Sequence, residues 1–389
     1  MRRVYLDNNA TTPLSAEVKK AMVDALDLFG NASSMHGRGR EARMVVEQSR
    51  TQIAQSIDAK PDEIIFTSGG SEANNMVLNT IWGLIYDGSK RKEIIISAIE
   101  HPSILEMAKF LASLGFCIHY LPVDKFGQVK FHELEKVLNK KTLLVSVMLA
   151  NNETGAIQDV KKVATMAKQY GALVHTDAVQ AVGKIQVDAK KLGVDYLTMS
   201  AHKFHGPKGI GALYVREGAP IVPLIMGGHQ ELGKRAGTTN NLGIISFSEA
   251  AKNINLKNNK VHKLRDYLLE RIQSKIENIV INTPIENSLP NTLNISFLGA
   301  EGESILLALD AEGIEASTGS ACASGSIEPS YVLMAQHNNA EIAHGSVRFS
   351  LGDDTTKADI DYVIQKLPPI IEKLRSISTI YNTNSELEK

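Results

Sequence analysis

Cysteine is almost missing from this chain: 389 residues hold two, Cys117 and Cys322. Two thiols cannot form a disulfide framework or a zinc site of paired CxxC motifs, and so low a count fits a reducing compartment. An excess of either charge is missing too. Lys plus Arg number 42 and Asp plus Glu 43, a net charge of -1, which supplies no electrostatic footprint for nucleic acid or an anionic membrane. Long apolar runs are lacking; stretches such as 143–150 (LLVSVMLA) are far too short to span a bilayer. The two N-terminal arginines lead into no apolar h-region, because Asp7-Asn8-Asn9 interrupts, so no signal peptide is read. There is no tandem repeat, and the one biased tract is the Gly/Ser/Ala-rich run 317–326. These absences predict a soluble, cytoplasmic globular protein with neither nucleic acid nor membrane as a partner.

What is present supports a sizeable core: 43% of residues are apolar and 22% charged. The length predicts two or three domains, or one large α/β domain with an appendage. Apolar runs of strand length occur at 63–67, 93–97, 116–121, 143–149, 172–176, 194–199 and 210–215. Amphipathic stretches at 72–86, 103–114, 131–139 and 160–170 lie between them. Near-continuous apolar strands alternating with helices predict a parallel or mixed sheet covered on both faces. The segment 15–29 reads as a separate helix with Ser15 as its N-cap. Past residue 255 the pattern changes to long charged helices at 256–277 and 355–378, with short strands at 279–281, 292–297 and 346–350. We expect a large domain over 15–255 and a smaller α+β domain built from 1–14 and 256–389. Residues 379–389 are polar and are expected to fray.

The chemistry-bearing residues cluster where predicted strands end, which is where open α/β sheets bind ligands. TSGGSE (67–72) sits between a strand and a helix. Its glycines permit close backbone approach, Ser71 can cap the helix, and the helix N-terminus makes an anion pocket suited to phosphate. An ordinary capped strand–turn–helix junction would read the same. Asp177 follows a strand and can serve as a loop cap, a metal ligand or a partner for a heterocyclic nitrogen. Lys203, flanked by His202 and His205, precedes a Gly/Pro loop; a lysine in a partly dry pocket has a lowered pKa and can form a Schiff base with an aldehyde. HKFH has no further His or Cys at ligand spacing, which argues against zinc. GPKGIG and GGHQELG (227–233) lack the order or context of a P-loop or dinucleotide turn. Cys322 lies among small residues, so its thiol is sterically free and can act as a nucleophile if a cation lowers its pKa. Cys117 sits in an apolar strand pattern and is expected in the core. Arg348 can be a face residue or a bidentate carboxylate clamp, and His101 can cap a helix or stack on a flat ring.

In their order along the chain these residues resemble the pyridoxal-phosphate cysteine desulfurases of the NifS/IscS type. The resemblance runs from YLDNNATT (5–12) to the helix near 375. Its sharpest stretches are EHPS (100–103), ANNETG (150–155), HTDAVQAVGK (175–184), SAHKFHGPKGIGALY (200–214), RAGTTN (235–240), STGSACASGSIEPSYV (317–332) and VRFSLG (347–352). It implies an α/β fold of the aspartate-aminotransferase-like type, fold-type I, with a mixed seven-stranded sheet and a smaller α+β domain. The implied cofactor is pyridoxal 5'-phosphate on Lys203, with Asp177 at the pyridine nitrogen, Gln180 near the ring hydroxyl and Asn152 beside it. His101 would stack on the ring; Gly70, Ser71, Ser200 and His202 would bind the phosphate. Thr238 would reach the cofactor phosphate of a second subunit, which implies a homodimer. Arg348, helped by Asn152, would hold the substrate carboxylate. Two departures are modest: Ser71 stands where relatives often have Thr, and Asp353-Asp354 follow SLG where a basic or aromatic residue is common.

The implied reaction converts L-cysteine to L-alanine. Lys203 would shuttle the Cα proton, the Cys322 thiolate would take the sulfur as a persulfide, and His101 is a candidate acid–base group for the substrate thiol. The sulfur would pass to an iron–sulfur scaffold or another acceptor protein. No resident metal is implied, with Cys322 at most a transient iron–sulfur contact. Three alternatives stay open: a class-V aminotransferase or lyase that needs no Cys322, a selenocysteine lyase, and a non-enzymatic sulfur carrier or scaffold partner.

Overall fold

The computed structural model describes residues 2–86, 88–257, 259–318 and 328–378. Its strands, in chain order, are β1 (Val4–Tyr5), β2 (Ile64–Thr67), β3 (Glu93–Ser97), β4 (Cys117–Leu121), β5 (Thr142–Ser146), β6 (Leu173–Asp177), β7 (Tyr196–Ser200), β8 (Gly211–Val215), β9 (Ile279–Ile281), β10 (Thr292–Phe297), β11 (Ile314–Glu315) and β12 (Ser346–Ser350). Seven form one mixed sheet in the order β2-β8-β7-β6-β5-β3-β4. β8 runs antiparallel to both its neighbours, and β7, β6, β5, β3 and β4 are mutually parallel. This is the expected α/β architecture of fold-type I.

The seven strands predicted from apolar runs all form. The widest difference is at 143–149, where regular pairing ends at Ser146 because the Met148 N–H turns to the Glu100 carboxylate at 2.6 Å. Alternate side chains pack on opposite faces. Ile94, Ile96 and Leu144 join Met76, Ile81 and Leu111 under the helices Gly70–Tyr86 and Pro102–Ser113. Ile95 and Val145 face the other way, toward Val46, Val163 and Phe247. Those come from the helices Gly37–Gln55, Val160–Gln169 and Asn241–Lys252. Apolar cover on both faces explains why β5, β7 and β8 are buried throughout. The predicted helix at 15–29 is shorter, Ala16–Asp24, and the Ser15 side chain caps it by accepting from Val18 N–H.

Cys117 is a correction to the sequence reading: it is exposed, not in the core. β4 is the sheet's edge strand, so its residues alternate over a surface that only partly covers them. An apolar pattern identifies a strand but not its place in the sheet.

A second core gathers Val4 and Leu6 with Leu268, Leu293, Ile295, Phe297, Leu309, Phe349, Ile360 and Leu367. It is built on the antiparallel sheet β12-β10-β9 and the helices Lys260–Gln273, Gly302–Ala311 and Lys357–Ile377. β1 enters it by pairing in parallel with β11. The chain then crosses to the large sheet: Asn8 N–H donates to Ser350 O at 3.1 Å, and Thr12 N–H to His202 O at 3.0 Å. The segment 7–12 therefore lies between the two cores, beside the carboxyl ends of the parallel strands. The expected fraying of 379–389 lies outside the described residues. Among the described residues, no helix is long and apolar enough to cross a membrane.

Candidate active site

Asp177, His101 and Lys203 follow the ends of β6, β3 and β7, and the turn at Gly70 follows β2. β2 stops at Thr67 and the helix Gly70–Tyr86 starts three residues later. The sequence reading made Ser71 the cap of this helix; it lies instead inside the first turn and is exposed. The start is early because Glu72 reaches back to accept the Ser68 N–H at 2.7 Å. Gly69 precedes the helix with no side chain to cap it, so the first-turn N–H groups are left for an anion. Gly70 is required by packing: a Cβ there would stand 2.8 Å from Val179 Cγ2.

Asp177 ends β6 and is 5% exposed. One carboxylate oxygen accepts from Asn74 Nδ2 at 2.7 Å and the other from the Val179 N–H at 2.9 Å. Beneath it, His175 bridges Ser146 Oγ (2.8 Å) and Thr198 Oγ1 (3.1 Å) across three strands, and burial drives its pKa down to about 3. The neutral imidazole is a structural rung under the site. His101 follows β3 and caps the helix Pro102–Ser113 through Nδ1, which accepts the Ser103 N–H at 3.2 Å. Burial lowers its pKa, Asp177 opposing and Lys203 reinforcing the shift. His202, after β7, is lowered to about 4 by burial and then by the Lys203 charge, so both histidines face the site as neutral rings at pH 7.

Lys203 lies in the short turn after β7. Its Nζ donates to the main-chain carbonyls of Asn9 (2.6 Å) and Ala10 (2.9 Å). Asn9, which the sequence reading did not single out, is the hub of the site. Its carbonyl also accepts from Gln180 Nε2 at 2.9 Å. Its side-chain oxygen accepts from Lys184 Nζ (3.1 Å) and Asn291 Nδ2 (3.0 Å). Its Nδ2 donates to Asn152 O (3.1 Å) and Thr292 Oγ1 (2.9 Å). A single asparagine thus joins the Lys203 turn, the loop after β5 and the second core.

Arg348 comes from β12, in the second core, and is 2% exposed. Its Nη1 donates to Asn152 O at 2.9 Å and its Nη2 pairs with Asp7 Oδ1 at 2.7 Å. The loop that presents Asn152 is fixed by Asn151, whose side-chain oxygen accepts the N–H groups of Glu153 and Thr154, each at 2.9 Å. Glu153 then accepts from Ser330 Oγ at 2.5 Å, at the start of the helix Tyr331–His337.

These groups enclose a cavity of about 270 Å³. Gly70, Ser71, His101, Asn152, Asp177, Gln180, Ser200, His202, Lys203 and Arg348, all named from the sequence, line it together with Asn9 and Asn74. Thr238 does not line it; it is exposed on the loop before the helix Asn241–Lys252. Cys322 lies outside the described residues. A larger cleft, about 690 Å³, opens on the far side of Lys203 but lacks the anion turn and Asp177. Three buried polar atoms at the smaller cavity have no partner among the described residues: Asn74 Oδ1, Asn152 Oδ1 and Arg348 Nε. Buried polar groups are rarely left so, and unpaired atoms here signal a ligand. An uncapped helix for a phosphate, a buried carboxylate for a ring nitrogen and a lysine amine for an aldehyde fit pyridoxal phosphate.

The class-V aminotransferase family model matches residues 4–363. A cysteine desulfurase IscS of Dictyoglomus turgidum is 52% identical, over 97% of this chain and 96% of that protein. Cysteine desulfurase 2 of Trichormus variabilis is 46% identical, over 99% and 97%. Among solved structures, a NifS-like protein superposes with a TM-score of 0.90 at 40% identity, covering 96% of this chain and all of that one. SspA, solved in complex with cysteine, gives 0.79 at 33% identity over 89% of this chain and 98% of its own. On its cavity chemistry, its fold and these likenesses, the chain belongs to the class-V aminotransferase family, among the pyridoxal-phosphate-dependent cysteine desulfurases.

Proposed function

We propose that the chain takes the sulfur of L-cysteine onto Cys322 as a persulfide, releases L-alanine, and passes the sulfur to an iron–sulfur scaffold or another acceptor protein. The observation that carries this reading is the convergence of Lys203, Asp177, the uncapped helix and Arg348 on one cavity. Bound pyridoxal phosphate supplies an aldehyde and a ring that withdraws electrons from the substrate Cα. Asp177 holds the ring nitrogen protonated, and Gly70, Ser71, Ser200 and His202 hold the phosphate. Gln180 would be the hydrogen-bond partner of the ring hydroxyl, and the neutral His101 would pack against the ring. Arg348 and Asn152 bind the substrate carboxylate; Arg348 Nε, without a partner among the described residues, is the donor kept for it. Lys203 Nζ, oriented by two carbonyls, removes and returns the Cα proton. The Cys322 thiolate attacks the substrate sulfur: an S–S bond forms, the C–S bond breaks, and its electron pair stays with the carbon fragment that becomes alanine. His101 exchanges the proton of the substrate thiol.

A cysteine-dependent alanine and sulfide assay on wild type, Lys203→Ala and Cys322→Ala tests this reading. Lys203→Ala should lose both products. Cys322→Ala should still change the cofactor spectrum on adding cysteine while releasing little sulfide; full turnover without Cys322 would instead favour an aminotransferase or lyase.

The proposal includes a homodimer. Val23, Leu26, Phe29, Met35 and Met44 are exposed, as are Ile225, Met226 and Leu232, and Leu232 lines a cleft together with Ala32, Arg43, Glu47 and Thr239, the neighbour of Thr238. Large exposed apolar side chains in number mark surfaces that a partner covers. Sedimentation should give twice 42.4 kDa. The low cysteine count supports a cytoplasmic location.

A further inference from the structure

A second lysine, half-buried, stands beside the site with no part in the reaction above. Lys184 lies four residues after Gln180 in the turn segment that follows β6, and its Nζ donates to Gln180 Oε1 at 2.6 Å and to Asn9 Oδ1 at 3.1 Å. Among the described residues no carboxylate pairs with it. Burial, reinforced by the charges of Lys203 and Arg348, lowers its pKa well below the ordinary lysine value. Both acceptors are neutral carboxamide oxygens, so the amine is held by two directional hydrogen bonds.

The consequence falls on Gln180. A main-chain carbonyl can only accept, so the Gln180 nitrogen must face Asn9 O, at 2.9 Å. Its oxygen is then committed to Lys184. Gln180 lines the cavity, and all it has left to offer there is the second hydrogen on Nε2. Without Lys184 the carboxamide oxygen would have no donor, and the group could rotate to present oxygen to the cavity.

We propose that Lys184 is a positioning residue that clamps the oxygen of Gln180 and so fixes Gln180 as a hydrogen-bond donor toward an anionic oxygen on the bound cofactor ring. This rests on the reading that Gln180 faces the ring hydroxyl. A donor on that oxygen favours the deprotonated form of the cofactor chromophore and keeps its titration midpoint low.

The test is a spectrophotometric pH titration of the purified holoenzyme without substrate. Gln180→Leu and Lys184→Met should each raise the chromophore midpoint by about one pH unit, the worth of one charge-assisted hydrogen bond. The double variant should move no further than either single one. Lys184→Arg keeps N–H donors, has the neighbouring cleft to extend into, and should restore the wild-type midpoint. If Lys184→Met does not fold by circular dichroism, Lys184→Gln, whose amide stops one bond short of Gln180, gives the same measurement. A wild-type midpoint in Lys184→Met alongside a raised one in Gln180→Leu overturns the proposal. So do additive shifts, which would mean that Lys184 acts by its own field rather than through Gln180. A wild-type midpoint in Gln180→Leu overturns the underlying assignment of Gln180, a distinct failure.

Discussion

Replacing Asn9 with alanine should uncouple the two cores without touching the carbonyl that holds Lys203. The substitution removes four side-chain hydrogen bonds, to Asn152 O, Thr292 Oγ1, Lys184 Nζ and Asn291 Nδ2. A buried hydrogen bond contributes about 0.5–1.5 kcal/mol net, and an abandoned partner costs more when nothing else satisfies it. Here the partners keep others: Arg348 still donates to Asn152 O, Gln180 still accepts from Lys184, and Asn291 Nδ2 still reaches Leu351 O at 3.3 Å. The loss should therefore sit in the lower half of the summed range, about 3 kcal/mol. Urea unfolding followed by circular dichroism and by the single tryptophan, Trp82, measures it, and a change in slope would show that the cores no longer unfold together. Because the main-chain carbonyl of residue 9 is retained, cofactor absorbance should survive. A loss below about 1 kcal/mol, the worth of a single bond, would refute the view that Asn9 ties the cores together.

Arg348→Lys should raise the KM for cysteine on the order of tenfold, because a point charge replaces a planar fork; an unchanged KM in steady-state assays would place the carboxylate elsewhere. Glu153 is raised by burial from 4.5 to about 7, against Ser330 and Arg348. The folded state thus holds the proton more tightly than the unfolded one. Its stabilisation is complete below pH 4.5 and is lost as pH rises toward 7 and beyond, about 3 kcal/mol in all. Glu153→Gln should flatten this fall, so the variant gains on wild type between pH 5 and 8.5 in urea unfolding; a constant difference would contradict the buried-acid assignment. In Gly211→Ala a Cβ would lie 2.7 Å from Met199 O and 2.8 Å from Gly69. Overpacking against backbone should cost about 1–3 kcal/mol and, by displacing the anion turn, weaken cofactor retention on gel filtration.

Hydrophobic periodicity determined much of this protein. The seven strands of the large sheet were legible because each is a short apolar run between turn residues, and β9, β10 and β12 fell at 279–281, 292–297 and 346–350 as read. The helices Gly37–Gln55 and Asn241–Lys252 were not read. Their buried faces mix Val46 and Ile53 with Gly39, Ser49 and Arg50, or Ile244 and Phe247 with Gly243, Ser246 and Ser248, and the small and polar members dilute the apolar period. The site's residue types were legible for a different reason: Asp177, Lys203 and the glycine turn stand at strand ends and Arg348 within a strand, in a family order, and ten of the residues named from the sequence meet at one cavity.

What the sequence by itself determined was the strand and helix order and the identity of the chemical groups, since both are written in local pattern. Only the tertiary structure decided that Cys117 lies on an exposed edge, that Ser71 is not a cap, and that Asn9, Asp7, Asn74 and Lys184 belong to the site. Edge position depends on strand order across the whole sheet. The side-chain partners of Asn9 lie 143 to 283 residues away, and no local pattern records a hydrogen bond closed over that distance.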